Sequence, residues 1–94
     1  MLRKARIGDV KAIHRMINLS SQKGEMLPRS LMDIYGNLRD FFVFYDKDER
    51  SVIGVCAMSI IWENLAEIRS LYVEEEHRRQ GIAKRLVEAC ISEA

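Results

Sequence analysis

The chain has 94 residues, of which 48% are hydrophobic and 31% charged, and its net charge is +1. This length admits one domain at most, and the composition is that of a soluble globular protein rather than a disordered one. The near-zero charge disfavours binding to nucleic acid or a membrane surface, and no apolar run is long enough to span a bilayer. The N-terminus lacks the apolar segment of a signal peptide, so a cytoplasmic protein is predicted.

The beginning of the sequence predicts a short strand and then an amphipathic helix. The strand covers residues 2–6, and Asp9 after it is a good N-cap residue for a helix that runs to about Ser21. One face of this helix is apolar: Val10, Ile13, Met16 and Ile17.

A loop then leads to a second predicted helix. Gly24 and Pro28 mark the loop, and Ser30 is a suitable cap for the helix that follows. Gly36 weakens this helix locally because glycine has a low helix propensity. Three apolar residues share one of its faces: Leu31, Ile34 and Leu38.

Three strands are predicted in succession after the second helix. Residues 41–45 form a continuous aromatic and β-branched run, which is typical of a strand. The polar residues 46–50 form a turn to a strand over 51–62, which is expected to pair antiparallel with its predecessor. A second turn at residues 63–64 leads to a strand over 65–73.

The third of these strands has an imperfect alternation of polar and apolar residues. Glu67 and Arg69 alternate with smaller or apolar neighbours, but residues 71–73 are all apolar. Such a break is what a β-bulge produces, and a strand buried on both faces would look similar.

The last predicted helix opens at Gly81, and its apolar face consists of Ala83, Leu86, Val87, Cys90 and Ala94. The resulting order of elements is β-α-α-β-β-β-α. It indicates an α/β chain of the α+β type, with a mixed, mainly antiparallel sheet and flanking helices in a single domain over residues 1–94.

The two cysteines, Cys56 and Cys90, lie among apolar residues and do not form a CxxC pair. They are interpreted as buried free thiols of a reducing compartment. A Cys–His nucleophile with His14 or His77 is the alternative, and no local pattern supports it. No metal-ligand spacing is present, so no metal is predicted.

The segment with the clearest chemistry is a strand, a short loop with one glycine, and a helix N-terminus. Unpaired backbone N–H groups and the helix dipole make such a terminus suitable for phosphate. Gly81 allows close approach of the backbone to a ligand because it lacks a Cβ atom. The alternative is an ordinary strand–helix connection with solvated basic residues, which here are Arg78, Arg79, Lys84 and Arg85.

The loop sequence Arg78-Arg79-Gln80-Gly81-Ile82-Ala83 resembles the (Q/R)xxGx(G/A) signature of the GNAT acetyltransferases. The preceding strand, the acidic residues 74–76 and the amphipathic helix behind the loop fit the same family, and the resemblance covers nearly the whole chain. It implies a GNAT-like fold in which all six loop residues bind the pyrophosphate of acetyl-CoA, the co-substrate.

The resemblance also implies roles for the preceding strand. Leu71, Tyr72 and Val73 would pair with the pantetheine arm, and the backbone N–H groups of Leu71 and Tyr72 would polarise the thioester carbonyl. Glu67 would be the general base that deprotonates the amine, directly or through water, provided that burial raises its pKa. The alternative for Glu67 is a solvated strand glutamate.

Residues 24–30 and 65–71 together look like the acetyltransferase domain of bacterial N-acetylglutamate synthases. This closer resemblance implies that Arg29, and secondarily Arg69, binds a substrate carboxylate, since guanidinium matches a carboxylate bidentately. For both arginines, a surface ion pair or an aliphatic stem covering apolar area is the alternative.

The family's domain normally continues, beyond the point where this chain ends at Ala94, with a strand, a helix and a hairpin. The tyrosine that often protonates the leaving thiolate lies in that missing helix, and Tyr35, Tyr45 and Tyr72 are wrongly placed for this role. The edge of the strand at residues 65–73 would be unpaired. We therefore expect a truncated domain that forms a homodimer, exchanges elements, or belongs to a longer protein.

The predicted function is acetyl transfer from acetyl-CoA to a small primary amine, with an amino acid such as glutamate as the expected acceptor. The competing hypothesis is a catalytically incomplete fragment that binds CoA or self-associates. A nucleic-acid module around residues 78–85 is disfavoured by the net charge and by the lack of interleaved aromatic residues. The resemblance does not fix the acceptor.

Overall fold

A computed structural model describes residues 1–24, 29–62 and 65–93 of the chain. Its strands are β1 (Leu2–Lys4), β2 (Phe41–Asp46), β3 (Ser51–Trp62) and β4 (Leu65–Val73). Its α-helices are α1 (Val10–Gln22), α2 (Leu31–Gly36) and α3 (Ile82–Glu93), and short 3₁₀ turns cover Ile7–Asp9, Leu38–Asp40 and Glu75–His77. The predicted order of elements is confirmed. In these ranges, no helix has the length and apolar character needed to cross a membrane.

The four strands form one antiparallel sheet in the order β1-β2-β3-β4. Strand β3 lies inside the sheet, where it pairs with β2 on one side and with β4 on the other. Consecutive antiparallel neighbours are expected from the short polar turn at residues 46–50. The second predicted turn, at residues 63–64, lies outside the described residues. Among the described strands β4 is an edge strand, as the sequence predicted.

The helices cover both faces of the sheet. Ile13 of α1 and Ile34 of α2 pack with Val43 and Val55 on one face. On the other face, α3 packs its own apolar stripe against the sheet. This second cluster contains Ile53, Cys56, Met58, Val73, Ile82, Leu86 and Cys90. The two-sided cover explains why residues 52–58 are all buried or glycine.

The start of α1 differs from the prediction in the role of Asp9. Asp9 occupies the N-cap position, but its side chain makes no capping hydrogen bond to the helix. Its carboxylate instead accepts hydrogen bonds from Arg3 at 2.6 and 3.1 Å and from the backbone N–H of Arg6 at 2.8 Å. The carboxylate therefore ties β1 to the start of α1.

Helix α2 is shorter than its apolar pattern predicted. The Ser30 cap is confirmed, since Ser30 Oγ accepts a hydrogen bond from the backbone N–H of Asp33 at 3.0 Å. The helix ends at Gly36, however, and Leu38 lies in a separate 3₁₀ turn. Leu31 is 41% exposed, so Ile34 alone of the three predicted face residues is buried.

The predicted face of α3 is wrong at Ala83, which is exposed. Ile82 takes its place and shares the buried stripe with Leu86 and Cys90 at a spacing of four residues. Val87 is half-buried at the margin of this stripe. Ala94 lies outside the described residues.

Gly54 of β3 permits the close approach of α3 to the sheet. A Cβ atom at this position would lie 3.2 Å from Leu86 Cδ1 and 3.3 Å from Ile82 Cγ2. Because α3 sits directly on Gly54, and Gly54 pairs with Val73, the N-terminus of α3 lies beside the end of β4. This packing places the candidate site.

The cysteines are buried free thiols, as predicted, with their sulfur atoms 3.5 Å apart between β3 and α3. Burial and the neighbouring Cys90 raise the pKa of the Cys56 thiol. A nucleophilic cysteine requires the opposite shift, so this pair belongs to the core.

Candidate active site

Strand β4 contains the bulge that its broken alternation suggested. Tyr72 is opposite Val55 and Arg69 is opposite Ala57, so Ser70 and Leu71 together oppose Cys56. Ser70 has a φ of 56°, which is an uncommon backbone conformation for a residue other than glycine. Both suggested causes of the break in pattern are present: the bulge at Ser70 and Leu71, and the burial of Tyr72 and Val73 on opposite faces of the sheet.

The bulge changes which side chains of β4 face each side of the sheet. Leu71 is 37% exposed, whereas Tyr72 packs with the α1 face and Val73 packs with the α3 face. Re-aiming of a strand next to a site is a common use of a bulge. Of the three residues assigned to the pantetheine arm, Leu71 therefore lies in the bulge and Tyr72 and Val73 follow it. That assignment stays a prediction.

The loop between β4 and α3 is tied back to the strand through Arg78. Its Nε donates a hydrogen bond to the carbonyl oxygen of Val73 at 2.9 Å, and its guanidinium lies 5.4 Å from the centre of the Tyr72 ring. Beyond Arg78, the chain adopts positive φ at Arg79 (67°) and at Gly81 (77°). The tight turn into α3 thus depends on two left-handed residues, of which one is a glycine.

A cavity of about 210 Å³ lies at this turn. It is lined by Val73, His77, Arg78, Arg79, Gly81, Ile82 and Ala83. The first helical hydrogen bond is donated by the N–H of Arg85 to the oxygen of Gly81, so the N–H groups of residues 82–84 have no partner within the helix. The helix terminus and the two arginines form a positive, backbone-lined concavity of the kind that binds phosphate.

Five of the six residues assigned to the pyrophosphate line this cavity. Gln80 is the exception, since it lies exposed in the loop without lining the cavity. Nothing lies within 4 Å of the position where a Gly81 Cβ would be, so the space beside this backbone is open to a ligand.

Arg29 lies at the bulge of β4, where it contacts Ser70. Its Nε donates to Asp33 Oδ2 at 2.6 Å, its Nη1 donates to Ser70 Oγ at 3.2 Å, and its guanidinium lies 5.0 Å from the centre of the Phe41 ring. Its side chain is only 14% exposed. The guanidinium is therefore held in one place by α2, β2 and β4 together.

The structure says less about Glu67 and Arg69, the other two residues to which the sequence analysis assigned a chemical role. Glu67 is exposed on β4, opposite Ser59 of β3, so the described residues do not supply the burial that the proposed base requires. The side chain of Arg69 lies outside the described residues, as do residues 25–28 of the motif that precedes Arg29.

Three further residues gather beside the loop, and of these the sequence analysis considered only His77, as a possible partner of a cysteine nucleophile. His77 Nε2 lies 2.7 Å from Glu49 Oε2, and Asp46 completes a group whose ligand atoms lie within 4.8 Å of one another. The hydrogen bond to Glu49, together with nearby carboxylates, raises the pKa of His77 against the opposing effect of desolvation. Residues 46 and 77 are too distant in sequence for any spacing rule to connect them.

The fold is of the acetyltransferase type, and comparison with known proteins agrees. The chain belongs to the Acetyltransferase (GNAT) family, which it matches over residues 11–94. It is 46% identical over 87 residues to an uncharacterised N-acetyltransferase of Chlorobaculum tepidum, covering 93% of this chain and 55% of that protein. It is 28% identical to the amino-acid acetyltransferase of Mycobacterium tuberculosis, covering 100% of this chain and 54% of that protein.

Solved structures show the same relationship. A Mycobacterium tuberculosis protein crystallised with CoA superposes with a TM-score of 0.90 at 28% identity, over 98% of this chain and 55% of that one. The N-acetylglutamate synthase of Neisseria gonorrhoeae, in complex with CoA and N-acetyl-glutamate, superposes with a TM-score of 0.92 over 99% of this chain and 22% of that one. At 23% identity this second likeness shows the fold alone. The chain spans about half the length of the curated relatives it matches.

Proposed function

We propose that this chain supplies the acetyl-CoA-binding half of an N-acetyltransferase that acts on a small primary amine. The observation that supports this most directly is the cavity at the start of α3, where positive φ at Gly81 and open space beside its backbone meet unpaired helical N–H groups. A similar protein has been crystallised with CoA, and the pyrophosphate of CoA is a ligand that such a cavity suits.

In this proposal the loop backbone of residues 78–83 holds the pyrophosphate of acetyl-CoA. The pantetheine arm lies along Leu71 to Val73, and the N–H groups of Leu71 and Tyr72 stabilise negative charge on the thioester oxygen. The amine nitrogen attacks the carbonyl carbon, the C–S bond breaks, and the thiolate leaves as CoA after taking up a proton. Glu67 removes the proton from the amine, directly or through water, once the acceptor and the rest of the domain cover it.

The acceptor that we propose is an amino acid such as glutamate. Arg29 supports this choice because it is fixed beside the bulge, where the acceptor would meet the thioester. Nε and Nη1 are engaged by Asp33 and Ser70, and Nη2 would be the donor to a substrate carboxylate. Arg69 is the second candidate. The relative named as an amino-acid acetyltransferase supports the same acceptor class.

The second candidate function is a CoA-binding or self-associating module without catalysis. The edge position of β4 and the exposure of Glu67 favour it, because both leave the catalytic region without cover in the described residues. A second copy of the chain, or further protein, would then cover this edge. A homodimer and a cytoplasmic location stay predictions.

Calorimetric titration with acetyl-CoA tests the proposal, with Gly81→Val and Gly8→Val as a matched pair. Both glycines have open space at the Cβ position, but only Gly81 has positive φ. A β-branched residue there costs on the order of 1–3 kcal/mol, so Gly81→Val should weaken binding about tenfold or more. Gly8→Val should bind as the parent chain does. Equal binding by all three folded proteins would contradict the assignment of the loop.

A further inference from the structure

Three potential metal ligands converge at the corner where the β2–β3 turn meets the 3₁₀ turn before the pyrophosphate loop. Asp46 ends β2, Glu49 lies in the following turn, and His77 ends the 3₁₀ turn. One ligand atom from each lies within 4.8 Å of the other two, and the shortest separation, His77 Nε2 to Glu49 Oε2, is 2.7 Å.

The imidazole distinguishes this corner from an ordinary patch of surface carboxylates. Carboxylates alone suit Mg²⁺ or Ca²⁺, whereas an imidazole with two carboxylates suits Zn²⁺ and its first-row neighbours. Adjacent ligands of a tetrahedral zinc ion lie about 3.3 Å apart. A small rotation of the exposed Glu49 side chain would therefore bring the three ligand atoms to the spacing of a coordination shell.

The ligands are partly fixed in advance. The Asp46 carboxylate accepts hydrogen bonds from the backbone N–H groups of Asp48 and Glu49 at 2.8 and 3.2 Å, both through Oδ1. The His77 side chain is only 14% exposed, and that of Glu49 is 44% exposed. An ion can therefore reach the corner from solvent through Glu49 while His77 and Asp46 remain in place.

We propose that Asp46, Glu49 and His77 bind a divalent transition-metal ion of the zinc type. The ion would link the β2–β3 turn to the residue that directly precedes Arg78, and would hold the start of the pyrophosphate loop against the sheet. It would have no part in acetyl transfer, which needs no metal. The proposal of a metal site therefore does not depend on whether the chain transfers acetyl groups.

Titration of the chain with Co²⁺, followed by visible absorption and by displacement with Zn²⁺, tests this proposal. We expect saturable binding without a cobalt–thiolate charge-transfer band, because Cys56 and Cys90 are buried. His77→Gln should weaken binding by more than about tenfold, and Glu49→Gln should weaken it as well, since each removes a ligand. Circular dichroism establishes that each variant is folded.

Two control variants match these changes away from the corner. His14→Gln removes the other histidine, and Glu88→Gln removes an exposed carboxylate of α3; both should bind Co²⁺ as the parent does. A thiolate band, unchanged binding in folded His77→Gln and Glu49→Gln, or loss of binding in His14→Gln would each overturn the assignment. Hydrogen exchange should also slow at residues 75–79 when Zn²⁺ is added, and an unchanged rate would contradict the link to the loop.

Discussion

Two arginines, Arg3 and Arg29, are covered to the same degree but have different surroundings. The side chain of Arg3 is 15% exposed and that of Arg29 is 14% exposed, and each guanidinium lies near an aromatic ring. Arg3 donates two hydrogen bonds to Asp9, whose side chain is only 10% exposed. The partner of Arg29 is Asp33, whose side chain is 41% exposed on α2.

The difference shows which arginine is available for a ligand. In the Arg3–Asp9 pair both charges are shielded from water and both carboxylate oxygens are used, so each partner depends on the other. Arg29 shares its donors between a half-exposed carboxylate and the Ser70 hydroxyl at the bulge. We therefore expect the first pair to contribute to stability, and the comparison favours Arg29 over Arg3 for the proposed acceptor site.

The largest predicted effect is that of Arg3→Met, which leaves the Asp9 carboxylate covered and without its main partner. Removal of one partner of a buried ion pair costs about 3 kcal/mol or more. In a chain of this size each kilocalorie lowers the melting temperature by about 4–8 °C. Urea and thermal unfolding should both show the loss, and a cost below that of Arg29→Met would contradict the comparison.

The next effect is the dependence of stability on acid. Burial alone would raise the pKa of Asp9, but hydrogen bonds from Arg3 and Arg6 hold it below its ordinary value of 3.8. This contribution to stability is present above pH 3.8 and is lost as the pH falls through the lower folded pKa. Urea unfolding at several acidic pH values should show this loss, and Asp9→Asn should flatten the profile in that range.

Arg29→Met should lower the free energy of unfolding by about 1 kcal/mol, which is less than the cost of Arg3→Met, because water can solvate the exposed Asp33 carboxylate. Its main expected effect is on the acceptor. If Arg29 holds a substrate carboxylate, glutamate should lose affinity for the acetyl-CoA complex, while acetyl-CoA itself binds unchanged. Arg29→Lys should restore the charge but only part of the affinity. Unchanged glutamate binding in Arg29→Met would remove Arg29 from the acceptor site.

The smallest predicted effect separates the hydrogen bond of Ser70 from its backbone strain. Ser70→Ala and Ser70→Gly both remove the bond to Arg29, but only glycine adopts a φ of 56° without steric cost. Ser70→Gly should therefore be more stable than Ser70→Ala by about 1 kcal/mol. Chemical denaturation measures the difference, and the reverse order would mean that the bulge relaxes in one of the variants.

The sequence predicted the order of the elements along the chain and most element boundaries because hydrophobic periodicity and turn residues are local signals. It misjudged the faces of the helices where packing decides the outcome. Ala83 is exposed because the N-terminus of α3 contacts Gly54 through Ile82. Helix α2 ends at Gly36, so Leu38 is not part of it. Helix propensity alone did not predict where each helix would stop.

The same difference between local and long-range signals applies to the roles of individual residues. The loop proposed to bind pyrophosphate is a continuous stretch of chain, so it could be recognised from residues 78–83 together with the strand before them and the helix after them. The role of Asp9 could not, because a carboxylate next to a helix is equally able to cap it or to bind an arginine from a preceding strand. The contact with Arg3 decided between the two.

By itself the sequence determined the family, the mainly antiparallel character of the sheet, the bulge as one of two interpretations, and the loop proposed to bind the nucleotide. These features depend on short-range patterns in the chain. Only the tertiary structure showed that Arg29 reaches Ser70 and that His77 meets Glu49 and Asp46. Such contacts join residues 28 to 41 positions apart, and their geometry depends on how the whole sheet and its helices pack.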